Sequence, residues 1–391
     1  MINSKKAQSL IFTFDQIMDS GLVFLFIAIG GNLLSSSEMA NVVVAQSIAL
    51  VCVLFCSCFT TQYLLLRYKE QGHRFWLKLF LFFVILTTCI IVFWFKSTLV
   101  LSLFIVGIIS EFAKRYCYYS DQALISGCAM LTTVFIFSLI IILAWMKLIS
   151  FDANRYIYFY SIIKLLPLLS VFLFLMLKVS ANSSIIKNES LYLVVQDSLK
   201  LGGVFSIITI IYWVTNQGFF ILLKHDIPAS ELVKIRITQN IFGIVTMLIT
   251  LYDSIFLKKN IDNQDRIFSF KSYSQFVIVA LSLILFNFLI LYLCSITIYS
   301  QIDVLEYAFY LSLAQLFYLL ARMPVLILKL RYNLTLILIL YIVSLCISLF
   351  YLFLNKSNTD FQYIVQSIAL ANFLVLFFSL VIVFKKEKKY G

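Results

Sequence analysis

Histidine and charge are both scarce in this chain. Only two of its 391 residues are histidines and only 12% are charged, against about 25% charged in soluble domains. His73 and His225 fall in loops on opposite sides of the predicted helices and cannot act together. The sequence has no Ser-His-Asp arrangement, no zinc-ligand spacing and no phosphate-cradling Gly-rich loop, so enzyme chemistry has no support. With three prolines and eleven glycines, long irregular domains are not expected. The eight cysteines lie in or beside apolar runs without partners at metal-ligand spacing. They read as small core residues, and neither a disulfide nor a metal or cofactor is implied.

What the chain has instead is apolar surface. Hydrophobic residues make up 62% of it, against roughly 45–50% in soluble proteins. A soluble fold could not hide that much, so lipid must be the solvent. A spanning helix needs about 20 mostly apolar residues. That length picks out twelve candidates, at about 10–32, 39–61, 75–95, 98–119, 124–147, 156–178, 201–223, 231–256, 274–297, 304–328, 333–354 and 361–384. The fold expected is an all-α polytopic membrane protein of about twelve transmembrane helices. Lys5 and Lys6 could open a cleaved signal peptide. The run after them carries Asp15 and Asp19 and lacks a clear small-residue cleavage site, so a retained helix is expected.

An internal match divides the chain. Ser37-Glu38, Gln46 and Ile48 are repeated as Ser230-Glu231, Gln239 and Ile241, all at an offset of 193. Lys78 and Phe83-Val84-Ile85 meet Lys271 and Phe276-Val277-Ile278 at the same offset. The polar matches carry most of the weight. They predict two pseudo-symmetric six-helix bundles, 1–185 and 186–391.

The net charge of +12 suggests nucleic acid until the charges are placed. With the N-terminus inside, 22 of the 30 Lys and Arg residues fall in inward segments, seven in outward ones, and Lys164 in mid-helix. That asymmetry predicts an even number of spans with both termini cytoplasmic, and no nucleic-acid partner. Trp76, Trp94 and Trp145 sit at span ends, where interfacial anchors are expected.

Charges inside spans need a partner or a wet cavity. Lys164, three residues before Pro167, is the deepest candidate for a cavity-facing cation. Asp15 and Asp19 share one face of the first helix, Asp19 deeper. Glu111 and Arg115, four apart, can pair, as structure or as a gate. Lys234 and Arg236, two apart, must point to different faces. Asp253 and Arg322, the latter just before Pro324, complete the charged candidates. Gln239 is a polar candidate among in-span amides (Gln46, Asn216, Gln217, Asn287, Gln315, Asn372) that more often hold helices together.

Asp15 before Ser20-Gly21, an apolar helix ending in a polar turn, and the acidic small-residue turn Ser35–Glu38 opening the next helix resemble the Wzx-type polysaccharide flippases. These belong to a larger family that includes MATE exporters and lipid II flippases. The local likeness covers about 14–48, and the twelve-span plan covers the whole chain. At Glu38-Met39-Ala40-Asn41 the sequence departs from the glycine and aromatic common in that family. The resemblance implies a flippase of the bacterial inner membrane, working by alternating access through a central cavity. Its substrate would be an undecaprenyl-pyrophosphate-linked oligosaccharide, such as an O-antigen repeat unit. It also implies membrane lipids, a polysaccharide polymerase and a chain-length regulator as partners. Two other readings remain: a MATE-like exporter of cations, and a membrane-embedded O-antigen polymerase or glycosyltransferase, which the short outward loops disfavour.

Overall fold

The computed structural model describes residues 5–61, 73–120, 122–146, 149–181, 191–223, 226–243, 270–299, 302–330, 334–355 and 361–390. Every regular element among them is helical. In chain order the helices are α1 (Lys5–Leu33), α2 (Ser36–Phe59), α3 (His73–Ile90), α4 (Thr98–Tyr119), α5 (Ala123–Trp145), α6 (Ala153–Ala181) and α7 (Leu191–Trp213). They continue with α8 (229–243), α9 (Phe270–Thr297), α10 (Ala308–Leu330), α11 (Leu334–Leu354) and α12 (Gln362–Tyr390). One π-helical turn, Ile91–Phe95, prolongs α3, and another, Val214–Gly218, prolongs α7. Ten helices among the described residues are long and apolar enough to cross a membrane. Helix α4 is long enough but carries Glu111, Lys114 and Arg115, and α8 is described over a shorter stretch.

The twelve elements overlap the twelve expected spans, the 244–256 part of the eighth lying outside the described residues, and the largest difference is at α7. Helix α7 is described from Leu191 rather than from near 201, and Ser198 and Gly202 on its early turns pack against α2. The polar turn before α2 has a local cause. Ser35 Oγ accepts from the Glu38 backbone N–H at 3.4 Å, and Glu38 Oε2 accepts from Ser35 N–H at 3.1 Å. That reciprocal pair satisfies two backbone donors that would otherwise be orphaned. The repeated Ser-Glu pair lies in the first turn of both α2 and α8, whose first residues are themselves 193 apart.

The chain forms two compact units, Met1–Ile210 and Ile211–Gly391. The join expected at 185/186 lies outside the described residues. In the first unit α4 is the central element, touching α1, α2, α3, α5 and α6. Phe80 stacks on Phe112 of α4 at 4.1 Å and meets Phe172 of α6 at 5.9 Å. Lys114 and Arg115, which the charge asymmetry places among inward surface charges, are buried at 2% and 9% exposure because α4 is surrounded. Trp76 is likewise a packed core residue at 1% exposure, whereas Trp94 is exposed as an anchor should be.

The early turns of α7 belong to the first unit. Ser198 Oγ donates to Phe59 O at 2.7 Å, covering a carbonyl at the end of α2. A Cβ on Gly202 would lie 2.5 Å from Phe59 Cδ1 and 3.0 Å from the Cys58 carbonyl, whereas one on Gly203 would meet nothing within 4 Å. Gly202→Ala is therefore expected to destabilise by about 1–3 kcal/mol through overpacking. Gly203→Ala is expected to stabilise by roughly 0.5–1 kcal/mol through helix propensity. Thermal unfolding of the detergent-solubilised chain reads both signs, and equal shifts would refute the close approach.

In the second unit α10 packs on α9, α11 and α12, and the π turn of α7 reaches α11 and α12. Pro324 inside α10 has no N–H for the Leu320 carbonyl one turn earlier. The Tyr273 hydroxyl, from α9, donates to that carbonyl at 3.4 Å.

Candidate functional site

Three helices of the first unit converge on one carboxylate. Asp19 of α1 accepts through Oδ2 from Lys114 Nζ of α4, and its Oδ1 lies 2.5 Å from Lys164 Nζ of α6. Both lysines are almost fully buried, at 2% and 4% exposure. Lys164 Nζ also stands 5.8 Å from the centroid of the Tyr160 ring, one helical turn earlier, where the ring's negative face favours a cation.

One turn before Asp19, Asp15 is 1% exposed. It accepts from Ser126 Oγ of α5 at 2.5 Å, and its other oxygen is buried with no hydrogen-bond partner. It is interior rather than solvated. Glu111 and Arg115 make the expected i,i+4 pair at 2.6 Å. The set brought together in this unit is three acids (Asp15, Asp19, Glu111) and three bases (Lys114, Arg115, Lys164). Such near balance is what a low-dielectric interior requires, since an uncompensated buried charge costs several kcal/mol. Two hydroxyls on the same helix faces are left over. Ser110, four residues before Lys114, and Ser161, three before Lys164, are buried and their oxygens have no hydrogen-bond partner.

A second polar centre lies in the second unit, around the π turn of α7. Arg236 of α8 donates from one guanidinium nitrogen to Gln217 Oε1 at 2.6 Å and to Gln239 Oε1 at 3.2 Å. Gln217 Nε2 donates to Gln239 Oε1 at 3.1 Å, and Gln239 Nε2 donates to the Asn216 carbonyl at 2.7 Å. Asn372 of α12 reaches Asn216 Oδ1 at 3.3 Å. The guanidinium also lies 5.6 Å from the Phe220 ring centroid. A π turn widens the helix and turns side chains that an α-helix would keep apart toward one point.

Lys234 points elsewhere, as the two-residue spacing requires. It bridges Glu231 and Glu306 at 2.9 Å each, and the Tyr307 hydroxyl donates to Glu231 at 2.6 Å. Arg322 stands 5.5 Å from the Tyr318 ring centroid, and that ring lies 5.2 Å from Tyr212. Asp253 lies outside the described residues. Sequence reasoning missed Lys114 as a site residue. Its only signal is its place three residues after Glu111 in the last third of a 22-residue helix.

No protein-family model matches the chain, and no curated protein matches it. Solved structures do. A crystal structure of the eukaryotic MATE transporter AtDTX14 is similar with a TM-score of 0.64 at 14% identity, over 97% of this chain and 95% of that one. An inward-facing multidrug resistance MATE family transporter of the MOP superfamily gives 0.54 at 14% identity, over 98% and 96%. A point mutant of the Vibrio cholerae MATE transporter VcmN gives 0.51 at 12% identity, over 98% and 96%. At these identities the likeness is one of fold. The chain is a multi-pass membrane protein with the MATE transporter fold.

Proposed function

We propose that this protein is a flippase, moving an anionic lipid-linked oligosaccharide from the inner to the outer leaflet of a bacterial inner membrane by alternating access. The observation that carries this reading is the pair of buried ammonium groups, Lys114 and Lys164, that meet on the single carboxylate of Asp19. A pyrophosphate diester carries about two negative charges and takes charge-assisted hydrogen bonds from such groups. Its prenyl tail can remain in the bilayer, so only the headgroup needs a polar path. Outward movement of the anion is favoured by an inside-negative potential, by roughly 2.3 kcal/mol per charge per 100 mV when no cation accompanies it. Polysaccharide polymerase and chain-length regulator are the partners that this role implies.

A second reading is export of organic cations. It is favoured by the orphaned oxygen of buried Asp15 and by the multidrug MATE transporter among the similar structures. One experiment separates the two. Proteoliposomes holding the full chain are given a fluorescent undecaprenyl-diphosphate saccharide in one leaflet, and in parallel a cationic dye. Flipping of the saccharide lipid without dye transport supports the flippase. Dye transport without flipping replaces it with the exporter.

A further inference from the structure

We propose that Lys114, Lys164, Ser110 and Ser161 form an oxyanion site in the first unit, and that Asp19 occupies it as a built-in counter-ion which the substrate must displace. The proposal rests on the flippase reading and assigns a role within it. Each oxygen of the Asp19 carboxylate faces a different lysine, from a different helix. That is how one oxyanion of a diphosphate or a uronate would be held. The hydroxyls of Ser110 and Ser161 are buried and serve no protein partner. Ser110 lies one turn from Lys114 on α4 and Ser161 one turn from Lys164 on α6, so each hydroxyl shares a helix face with a lysine. Buried donors are ordinarily satisfied. Two orphaned donors on the helix faces that carry the two lysines offer a place for more acceptor oxygens than Asp19 supplies.

The balance of charge gives the reason for a stand-in. Asp15, Asp19 and Glu111 balance Lys114, Arg115 and Lys164, so the empty site is neutral and can exist in lipid. An entering oxyanion takes the lysines, and Asp19 swings off them. Discrimination against neutral lipids follows directly, because a headgroup without negative charge cannot compete with a carboxylate already in place. Asp19 is thus a specificity residue, and it sets the affinity by competing for the site.

The test is binding of geranyl diphosphate, a short soluble prenyl diphosphate, and of glucuronate, to the full chain in nanodiscs by calorimetry. Asp19→Asn is expected to bind one of them about tenfold or more tightly than the unaltered protein, and Lys164→Gln to bind it about tenfold or more weakly. Because Asp19→Asn disturbs the buried balance, a second comparison keeps one charge of each sign out. Lys114→Gln alone leaves Lys164 held by Asp19, whereas Lys114→Gln with Asp19→Asn leaves Lys164 released. The double variant is expected to bind about tenfold more tightly than the single one. Tightening for geranyl diphosphate assigns the site to the lipid carrier, and tightening for glucuronate assigns it to an acidic sugar. Binding that is indifferent to Asp19, or weakened by its loss, overturns the counter-ion role and leaves the flippase reading standing. Absence of diphosphate and uronate binding in every variant overturns the oxyanion site itself, while proteoliposome flipping judges the flippase separately.

Discussion

On the flippase reading, Lys164→Ala is expected to stop the appearance of polysaccharide at the surface of cells that depend on this protein, with the variant still present in the membrane. The lysine is 4% exposed, on a helix that contains Pro167 one turn later, and its ammonium group reaches Asp19 and faces Tyr160. Removing it does not leave Asp19 alone, because Lys114 still holds the other oxygen. The unit therefore keeps its main ionic cross-link between α1 and α4. What is lost is one of the two cations proposed to hold a diphosphate. Truncating one partner of a buried charge pair costs about 2–5 kcal/mol in binding, which is roughly 30- to several thousand-fold in affinity. Transport is expected to fall by about a hundredfold on that scale. Lys164→Arg, which keeps the charge, should retain part of it. Wild-type surface polysaccharide in the alanine variant would remove Lys164 from the mechanism.

The helices were legible because a bilayer sets their length and apolarity, and those are properties of a short window of sequence. Glu111 and Arg115 were legible for a related reason: a spacing of four on one helix fixes their proximity before any packing occurs. Lys164 stood out because a cation in mid-span is too costly to keep without a partner or a wet cavity. Lys114 did not, since a Lys-Arg pair toward a helix end has the same sequence pattern as surface charge on the inward side. Its partner Asp19 is 95 residues away, and only the central position of α4 among five neighbours brings the two together. The hub around Arg236 divides in the same way. Its glutamines and asparagines were each visible as polar residues in apolar runs. Their convergence depends on the π turn at Val214–Gly218 and on Asn372, 156 residues beyond Asn216. Trp76 shows the limit from the other side, as a residue at the end of a span that packing draws into the core.

Asp19→Leu is expected to be the most destabilising single change in the first unit, costing about 3–5 kcal/mol, because it leaves two buried ammonium groups facing an apolar side chain. The contrast with Lys164→Ala comes from the shape of the cluster. One carboxylate serves two lysines, so removing a lysine leaves a pair, while removing the carboxylate leaves none. Asp15, one turn earlier, accepts from Ser126 on α5 through one oxygen, and its other oxygen has no hydrogen-bond partner, so as placed it bonds neither lysine and would have to move to take over. Replacing Lys114 and Lys164 by methionine in the Asp19→Leu background removes the stranded charges, and that triple variant is expected to recover most of the lost stability. Apolar replacement of a whole buried ionic group is often neutral or stabilising, but on the proposed role it leaves nothing to hold an oxyanion, so the recovered protein should not transport. Thermal unfolding in detergent, set beside flipping in proteoliposomes, separates the two properties. If Asp19→Leu were as stable as the unaltered chain, the lysines would have to be hydrated rather than held, and Asp19 could be neither their structural counter-ion nor the group a substrate displaces.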